Sequence, residues 1–338
     1  MLVRADYLRN STKMAVDPFS DVLNLIGAQS VISGGFTAGG SWALRFPAPD
    51  KLKFFALIKG SCWLRVEGTE VLVRVDTGDV FLLAARRTFV LASDMAIHPV
   101  DARRLFANKV KKFATLGDGD DCIYIGGHVL LDSASGGLLA DVLPPFIHVK
   151  AASSQATSLK WLLEQLVREQ AEDLAGSGIA SAQLAQLLFI QLLRAHLETS
   201  GPSAVGWLRA LSDRRLAPVF RLLHGDPGRQ WSLEELAKAA TMSRTTFASR
   251  FKAAAGVAPL TYLTQWRMRL AQRALREERT PVSVLAGSLG YTSESAFSNA
   301  FKRVTGTAPK HYRSAARLAL TVSERIDRRV ASAGAGSL

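Results

Sequence analysis

The sequence has few of the residues that build metal centres, disulfide frameworks or membrane spans. Its 338 residues contain only two cysteines, Cys62 and Cys122, which provide neither a disulfide framework nor a metal-ligand spacing. Both lie in strand-like segments, so we expect buried, reduced thiols, with a redox switch as the weaker alternative. No run of roughly 18 uncharged apolar residues occurs, and the N-terminus has no hydrophobic signal core. We therefore expect a cytoplasmic protein without a membrane span.

Excess charge is absent from one part of the chain and concentrated in the other. Residues 1–206 contain 20 Lys and Arg against 20 Asp and Glu, whereas residues 207–338 contain 22 against 9. The whole net charge of +13 therefore belongs to the C-terminal part. Such segregation indicates neutralisation of phosphates and hence a nucleic-acid partner. A generic solubility surface is the alternative, but it would not segregate in this way.

The basic part contains an internal repeat, which determines its architecture. The first copy spans 232–259 and the second spans 281–309. The residues that recur 50 positions later are Phe247 and Phe297, Phe251 and Phe301, Gly256 and Gly306, and Pro259 and Pro309.

Each copy is typical of a helix-turn-helix motif. A short apolar helix precedes a second helix, in which two phenylalanines at positions i and i+4 must be buried on one face. Ser243 in the first copy, and Thr292 or Ser293 in the second, are candidate N-caps. A glycine ends the second helix of each copy. Two ordinary helical hairpins are the alternative, but the repetition and the charge favour DNA binding.

The segment between the copies, 260–279, contains neither glycine nor proline. Apolar residues follow a helical spacing, and Arg267, Arg269, Arg273 and Arg276 occupy much of the rest. We predict one continuous helix of about 18 residues, roughly 27 Å long. Such a rod could hold two recognition helices about one turn of DNA apart.

Residues 215–316 resemble the AraC/XylS-type DNA-binding domain. The second copy matches that family's signature at Leu285, Ala286, Gly290, Tyr291, Phe297, Phe301, Lys302, Gly306, Pro309, Tyr312 and Arg313. The first copy departs from it at Thr241, where Gly or Ala is usual, and we expect a slightly strained turn there. The resemblance implies promoter DNA and RNA polymerase as partners, with base contacts from the second helix of each copy. The expected DNA-binding residues are Arg244, Thr245, Ala248, Ser249, Glu294, Ser295, Ser298, Asn299 and Lys302.

The sequence pattern changes along the neutral part of the chain, residues 1–206. Short apolar runs separated by Gly-containing turns predict a sandwich or barrel within residues 17–150. The segments Trp42–Phe46, 60–64 and Gly78–Val80 resemble the cupin-type sensor domain of AraC-family regulators. We predict an α+β multidomain protein with an N-terminal cupin-like β-barrel, a helical hairpin and a C-terminal all-α double helix-turn-helix domain.

A cupin barrel also raises the hypothesis of a metal-dependent enzyme with an accessory DNA-binding domain. The positions that would supply ligands are occupied by Phe54, Phe55, Arg87 and Phe89, and no histidine belongs to a His-x-His pair. His128 is interpreted as a strand residue and His148 as a loop residue. We therefore expect neither a metal, a cofactor nor enzymatic activity.

The barrel interior is the candidate site for an unknown small-molecule effector. Its lining is predicted to include Trp42, Phe54, Trp63 and Phe81, with simple core filling as the alternative. A basic loop could meet an anionic effector, although a solvated surface is the simpler interpretation. It is formed by Arg103, Arg104, Lys109, Lys111 and Lys112.

Three segments complete the predicted organisation. Residues 151–200 form a strongly apolar helical hairpin that is expected to pair two chains in a homodimer, as the resemblance implies, or else to pack only within one chain. The DNA-binding domain covers 207–316, and a disordered tail covers 317–338. The sequence therefore predicts an effector-responsive, sequence-specific activator located on the bacterial nucleoid. An architectural DNA binder without an effector remains the other alternative.

Overall fold

The computed structural model describes residues 17–84, 86–106, 113–132, 136–140, 142–153, 156–172, 174–199, 206–277, 280–316 and 318. Backbone contacts divide the chain into two compact units. One consists of Ile26–Ala204 and is called the barrel unit. The other consists of Val205–Leu338 together with Met1–Leu25 and is called the helical unit.

The barrel unit is built from short strands. They are β1 (Gln29–Ala38), β2 (Ala43–Phe46), β3 (Leu52–Lys59), β4 (Ser61–Val66), β5 (Leu72–Asp76), β6 (Val80–Leu83), β7 (Phe89–Ala92), β8 (Val100–Asp101), β9 (Phe113–Leu116), β10 (Cys122–Leu130) and β11 (Phe146–Val149). One sheet has the order β11-β6-β3-β10-β1-β9, and the other has the order β5-β4-β7-β2-β8. Neighbours are antiparallel except the pairs β1–β9 and β2–β8. The predicted cupin-like barrel is thus confirmed.

The two sheets enclose an aromatic core. Phe36, Phe55, Phe81 and Tyr124 come from the first sheet and pack against side chains of β2, β4 and β7. Phe46 and Phe89 of the second sheet are stacked, with ring centroids 4.7 Å apart. Burial of these rings, together with the aliphatic side chains of the same cluster, favours closure of the barrel.

The barrel unit also contains four helices in its described residues. They are α2 (Ala102–Leu105), α3 (Gly137–Ala140), α4 (Ala156–Ala171) and α5 (Ser177–Thr199). Helices α4 and α5 form the predicted hairpin, and α5 packs on β1, β6 and β11. By length and composition α5 could cross a membrane, the one such helix among the described residues. Its buried face includes Phe189 and Leu192.

The helical unit contains eight helices in its described residues. They are α1 (Pro18–Leu25), α6 (Trp207–Ser212), α7 (Ala217–Gly225), α8 (Leu233–Ala239), α9 (Arg244–Ala255), α10 (Pro259–Glu277), α11 (Val282–Ser288) and α12 (Glu294–Thr305). Helix α10 is the continuous helix expected between the two copies. Residues 278 and 279, and all but Leu318 of the predicted tail, lie outside the described residues.

Helix α1 packs on α6, α7 and α10, although α6, the first of them in the chain, begins at Trp207 and α1 ends at Leu25. The Asp21 carboxylate is 3.3 Å from Nδ1 of His224, whose Nε2 is hydrogen-bonded to the Tyr262 hydroxyl at 2.8 Å. The imidazole stacks on Trp266 with ring centroids 3.9 Å apart. A helix that adjoins the barrel in sequence thus completes the core of the helical unit.

Candidate nucleic-acid interface

Two helix-turn-helix motifs follow one another in the helical unit. The first motif is α8–α9 and the second is α11–α12. Ser243 caps α9 by accepting a hydrogen bond from Thr246 N at 3.2 Å, and Ser293 caps α12 by accepting one from Ala296 N at 3.1 Å. Gly256 and Gly306 end these helices in the left-handed conformation, with φ of 82° and 77°. The start and stop signals in the sequence are thereby confirmed, with Ser293 rather than Thr292 as the second cap.

The paired phenylalanines orient both recognition helices. Phe247 and Phe251 of α9, and their counterparts Phe297 and Phe301 of α12, have no solvent exposure. Phe251 also stacks on Phe220 of α7, with ring centroids 5.1 Å apart. Because one face of each helix is anchored in this way, the opposite face is held toward solvent.

The predicted DNA-binding residues lie on these outward faces. Those that are exposed are Arg244, Thr245, Ser249, Ser295, Asn299 and Lys302, and those that are partly exposed are Ala248, Glu294 and Ser298. The structure therefore brings the set together on two short helices, four on α9 and five on α12. Side chains of this kind suit base edges and phosphates.

Some charged residues of α9 and α12 are ion-paired within the protein and others are not. Arg250 of α9 forms two hydrogen bonds with Oδ2 of Asp213, at 2.9 and 2.8 Å. Burial alone would raise the pKa of Asp213, but hydrogen bonds from Arg215 N and Arg250 lower it, so the carboxylate stays charged. On α12, Glu294 lies 3.7 Å from Nζ of Lys310. Arg244, by contrast, has no ion pair among the described residues and can meet an anionic partner.

Helix α10 belongs to the cores of both motifs. Tyr262, Leu263 and Trp266 are buried in its first half, and Met268 and Ala271 are buried in its second half. Arg267, at the centre, is only 8% exposed. The expectation that this arginine lies on the polar side of the helix was wrong. A sequence signal was available, because position 267 is four residues after Leu263 and four before Ala271 and so lies on the apolar face.

The turns of the two motifs have different residues at their positive-φ position. Thr241 has φ of 54° and is the only non-glycine residue with positive φ in the part of the chain that the structure describes. Its counterpart Gly290 has φ of 80°. The strained turn expected at Thr241 is therefore present.

The four residues predicted to line an effector site are not brought together. Trp42 and Phe81 are buried in the barrel interior. Phe54 is buried, but it alternates with the interior residue Phe55 and so belongs to the other face of β3. Trp63 is 37% exposed, because β4 directs Cys62 and Leu64 inward and Trp63 outward. For Trp63 the period of the strand contradicts an interior position.

The two cysteines are buried and unpaired, as expected. The thiol of Cys62 lies 2.5 Å from the hydroxyl of Tyr124. Burial raises the pKa of Cys62 to about 12 and that of Cys122 to about 11. Neither thiol therefore has the thiolate character that redox chemistry needs. Among the residues that the structure describes, no group of three or more His, Cys, Asp or Glu side chains could hold a metal ion.

His148 lies in β11, so its interpretation as a loop residue was wrong. Its Nε2 is 2.8 Å from Oδ2 of Asp79, and the same carboxylate accepts a hydrogen bond from Ala151 N at 2.7 Å. These contacts attach the end of β11 to the β5–β6 turn, which is a structural role. His128 lies in β10, as expected.

Only part of the predicted basic loop can be placed. Arg104 lies in α2, and Arg103 of the same helix pairs with Asp101, its Nη2 2.5 Å from Oδ2. Lys109, Lys111 and Lys112 lie outside the described residues. Of the residues proposed to bind an anion, the structure therefore places only Arg103, which is paired with Asp101, and Arg104, which is exposed.

Comparison with known proteins gives matches over both units. The family model described as Cupin matches residues 17–198, and the Helix-turn-helix domain model matches residues 236–315. An AraC-like transcription regulator of Streptomyces antibioticus is 42% identical over 88% of this chain and 98% of its own length. The HTH-type transcriptional regulator AlkR of Acinetobacter baylyi is 29% identical over 81% of this chain and 91% of its own length. The crystallised DNA-binding domain of AdpA, in complex with a target DNA, is 37% identical, with a TM-score of 0.30, over 32% of this chain and 96% of that domain.

Proposed function

This chain belongs to the AraC-type transcription regulators that carry an N-terminal cupin domain, and we propose that it binds two successive major-groove segments of promoter DNA through α9 and α12. The observation that carries this proposal is the pair of exposed polar faces on capped helices joined by α10. Helix α10 has 19 residues, so it is about 28 Å long, close to one turn of DNA. The net charge of +13 on residues 207–338 favours the approach of this surface to DNA.

Within this proposal the two recognition helices have different base preferences. Arg244 at the start of α9 suits the O6 and N7 acceptors of guanine. On α12, Asn299 suits adenine and Glu294 suits the amino group of cytosine. Lys302, in the last turn of α12, is expected to contact phosphate and so to contribute affinity without sequence preference.

The test begins with sites selected by the full-length protein from randomised duplex DNA. Each base pair of the selected site is then replaced in turn, with the wild type and with Arg244→Ala, Asn299→Ala and Lys302→Ala. Each of the first two variants should lose about 1–3 kcal/mol of binding free energy, through one block of base pairs only, and a different block for each. Lys302→Ala is the matched control, because it should weaken all sequences equally.

Two results would count against the proposal. If Asn299→Ala weakens binding to random DNA as much as binding to the selected site, Asn299 does not contact bases. If footprinting shows protection of one groove segment only, the two motifs do not bind side by side. Affinity that does not distinguish promoter from bulk DNA, at matched salt, would favour an architectural DNA binder.

The barrel unit is proposed to sense a small-molecule effector and so to control activation through RNA polymerase. Its interior, which contains Trp42 and Phe81, favours an apolar or aromatic ligand. Binding would shift the population of domain arrangements and hence the occupancy of the site. A compound that raises the unfolding temperature of the full chain and also changes its DNA affinity would support this role. A compound that leaves both the unfolding temperature and the DNA affinity unchanged would not support it.

The same proposal assigns a separate role to each segment of the chain. Residues 17–150 sense the effector, residues 151–200 pair two chains, and residues 207–316 bind DNA, which locates the protein on the nucleoid in the cytoplasm. No catalytic step is assigned to the chain. Stoichiometric iron, nickel or zinc in the purified protein would instead favour a metal-dependent cupin enzyme.

A further inference from the structure

The loop that leads into the first helix-turn-helix motif touches the second motif, in addition to the connection through α10. The loop that precedes the first motif, 226–230, packs against the turn of the second motif, 288–291. A Cβ on Gly290 would lie 2.1 Å from Gly228 O, and one on Gly228 would lie 2.5 Å from Ser288 O. The Gln230 side-chain amide also donates to Gly290 O. Two glycines therefore allow the backbones to approach more closely than any side chain would permit.

The contact between loop 226–230 and turn 288–291 is called the intermotif contact, and Arg267 of α10 is hydrogen-bonded to it. Its Nε donates to Pro227 O at 2.6 Å, and its Nη2 donates to Arg229 O at 2.8 Å. The guanidinium carbon is 5.8 Å from the centre of the Tyr291 ring in the turn of the second motif. One side chain on α10 thus contacts the loop before the first motif and the turn within the second.

The environment of Arg267 separates it from the arginines available to DNA. Arg267 is 8% exposed, and burial lowers the pKa of its guanidinium, although Tyr291 and Asp226 oppose this shift. Two carbonyl acceptors and an aromatic ring satisfy the buried cation. On α10, Arg267 follows Trp266, which stacks on His224 of α7. It precedes Met268, which packs in the core of the second motif.

We propose that Arg267 is a positioning residue that holds α9 and α12 at one separation, so that the protein accepts one spacing between its two blocks of base contacts. This inference rests on the proposed function. A helix alone could bend or twist about its middle, whereas the contact beside Arg267 gives the two motifs a second, independent connection. Spacing selectivity would then depend on a residue that touches no DNA.

The first experiment measures tolerance to spacing. The selected site is lengthened or shortened by one base pair between its two blocks, and dissociation constants are measured for the wild type, Arg267→Met, Arg267→Lys and Arg273→Met in the full chain. The wild type should lose about 30-fold in affinity for each altered spacing, and Arg267→Met should lose less than about five-fold relative to its own best site. Arg267→Lys keeps the charge but has a single donor nitrogen in place of the guanidinium fork, so its loss should be intermediate.

Arg273→Met is the matched control. Arg273 also lies on α10, but its Nε pairs with Glu277 at 2.9 Å and it is outside the intermotif contact. Removing its charge should weaken all sites equally and leave the spacing preference unchanged. The inference is overturned if Arg267→Met and Arg267→Lys retain the wild-type penalty for altered spacing, whatever their affinity for the best site.

A second measurement needs no DNA. Spin labels on cysteines introduced at Ala253 of α9 and Arg303 of α12, both exposed, report the distance between the motifs in the free full-length protein. The native Cys62 and Cys122 are buried and should not be labelled. Arg267→Lys should broaden the distance distribution about two-fold relative to the wild type and Arg273→Met. An unchanged width overturns the inference. Failure to select any two-block site, with a broadened distribution, would count against the proposed function alone.

Discussion

Thr241 and Gly290 show how one residue sets the strain in a helix-turn-helix turn. The two turns have matching backbone hydrogen bonds, with Met242 N donating to Ala237 O and Tyr291 N donating to Ala286 O. Both central residues have positive φ, which costs a β-branched residue about 1–2 kcal/mol and glycine almost nothing. The first motif therefore carries strain that the second lacks.

We predict opposite effects for substitutions at these two equivalent positions. Thr241→Gly should stabilise the helical unit by about 0.5–1 kcal/mol, because relief of strain exceeds the added entropy of the unfolded chain. Gly290→Ala should destabilise it by at least about 2 kcal/mol, because strain adds to a clash with Gly228 O. Chemical denaturation of the full chain, followed by hydrogen exchange in α8 and α11, measures both. Destabilisation by Thr241→Gly would show that its hydroxyl, which donates to Ala240 O, outweighs the strain.

His224 should make the stability of the helical unit depend on pH. Burial lowers the pKa of this histidine below its usual 6.5, although Asp21 opposes the shift. Above about pH 6.5 the imidazole is neutral in both states and has no effect. As the pH falls below that value the unfolded state binds the proton first, so the free energy of unfolding should decrease by up to about 1.4 kcal/mol per pH unit. The decrease ends at the lower pKa of the folded state.

Two histidine variants separate this effect from general acid sensitivity. His224→Phe keeps a ring against Trp266 and should remove the pH dependence, whereas His311→Phe, at an exposed site, should leave it. Hydrogen exchange of the α7 and α10 amides, corrected for the intrinsic effect of pH, measures local stability. If His224→Phe retains the wild-type slope, another group titrates.

At the scale of elements, helices were predicted better than strands. Helix α10 agrees with its expected bounds within two residues at each end, because its apolar spacing has no glycine or proline to interrupt it. Strand β1 was not predicted, because Gly34 and Gly35 break its alternation where the register with β10 shifts. Strand β11 was missed because two prolines precede it and pairing with β6 is what makes it a strand.

The packing partner of α1 was beyond what the sequence could indicate. The segment from Pro18 to Leu25 has the short amphipathic pattern of a helix. Nothing local determines whether such a helix packs on the strands that follow or on helices far along the chain. The contacts of Asp21 with His224 and of Asn24 O with Arg273 place α1 in the helical unit, although the expected sensor domain begins at residue 17.

At the scale of the whole molecule, the α4–α5 hairpin is the proposed homodimer interface. Trp161 of α4 is 53% exposed, and Ile179 and Leu187 of α5 are 74% and 39% exposed. Large apolar side chains left in solvent along one hairpin favour a protein partner. Helix α5 at the same time buries its other face within its own chain, so the alternative of packing within one chain accounts for only part of its apolar surface.

Leu187→Glu should convert a dimer to a monomer, because a homodimer would bury this charge twice. We expect the dissociation constant to rise at least about 100-fold, measured by sedimentation velocity on the full chain. Leu72→Glu is the control, since Leu72 is an equally apolar, exposed residue on β5 away from the hairpin. Equal masses for Leu187→Glu and the wild type would remove α5 from the proposed interface.

The sequence by itself determined the doubled motif, the caps, the buried phenylalanines and the outward polar faces of α9 and α12. Each of these follows from spacing within a single helix or from one repeat to the next. Only the tertiary structure decided which groups satisfy the buried Arg267, which face of β4 is the interior one and that α1 joins the helical unit. The physical reason is the same in all three, because burial of a side chain depends on partners distant in the chain. For Arg267 these are the carbonyls of Pro227 and Arg229, which no local pattern specifies.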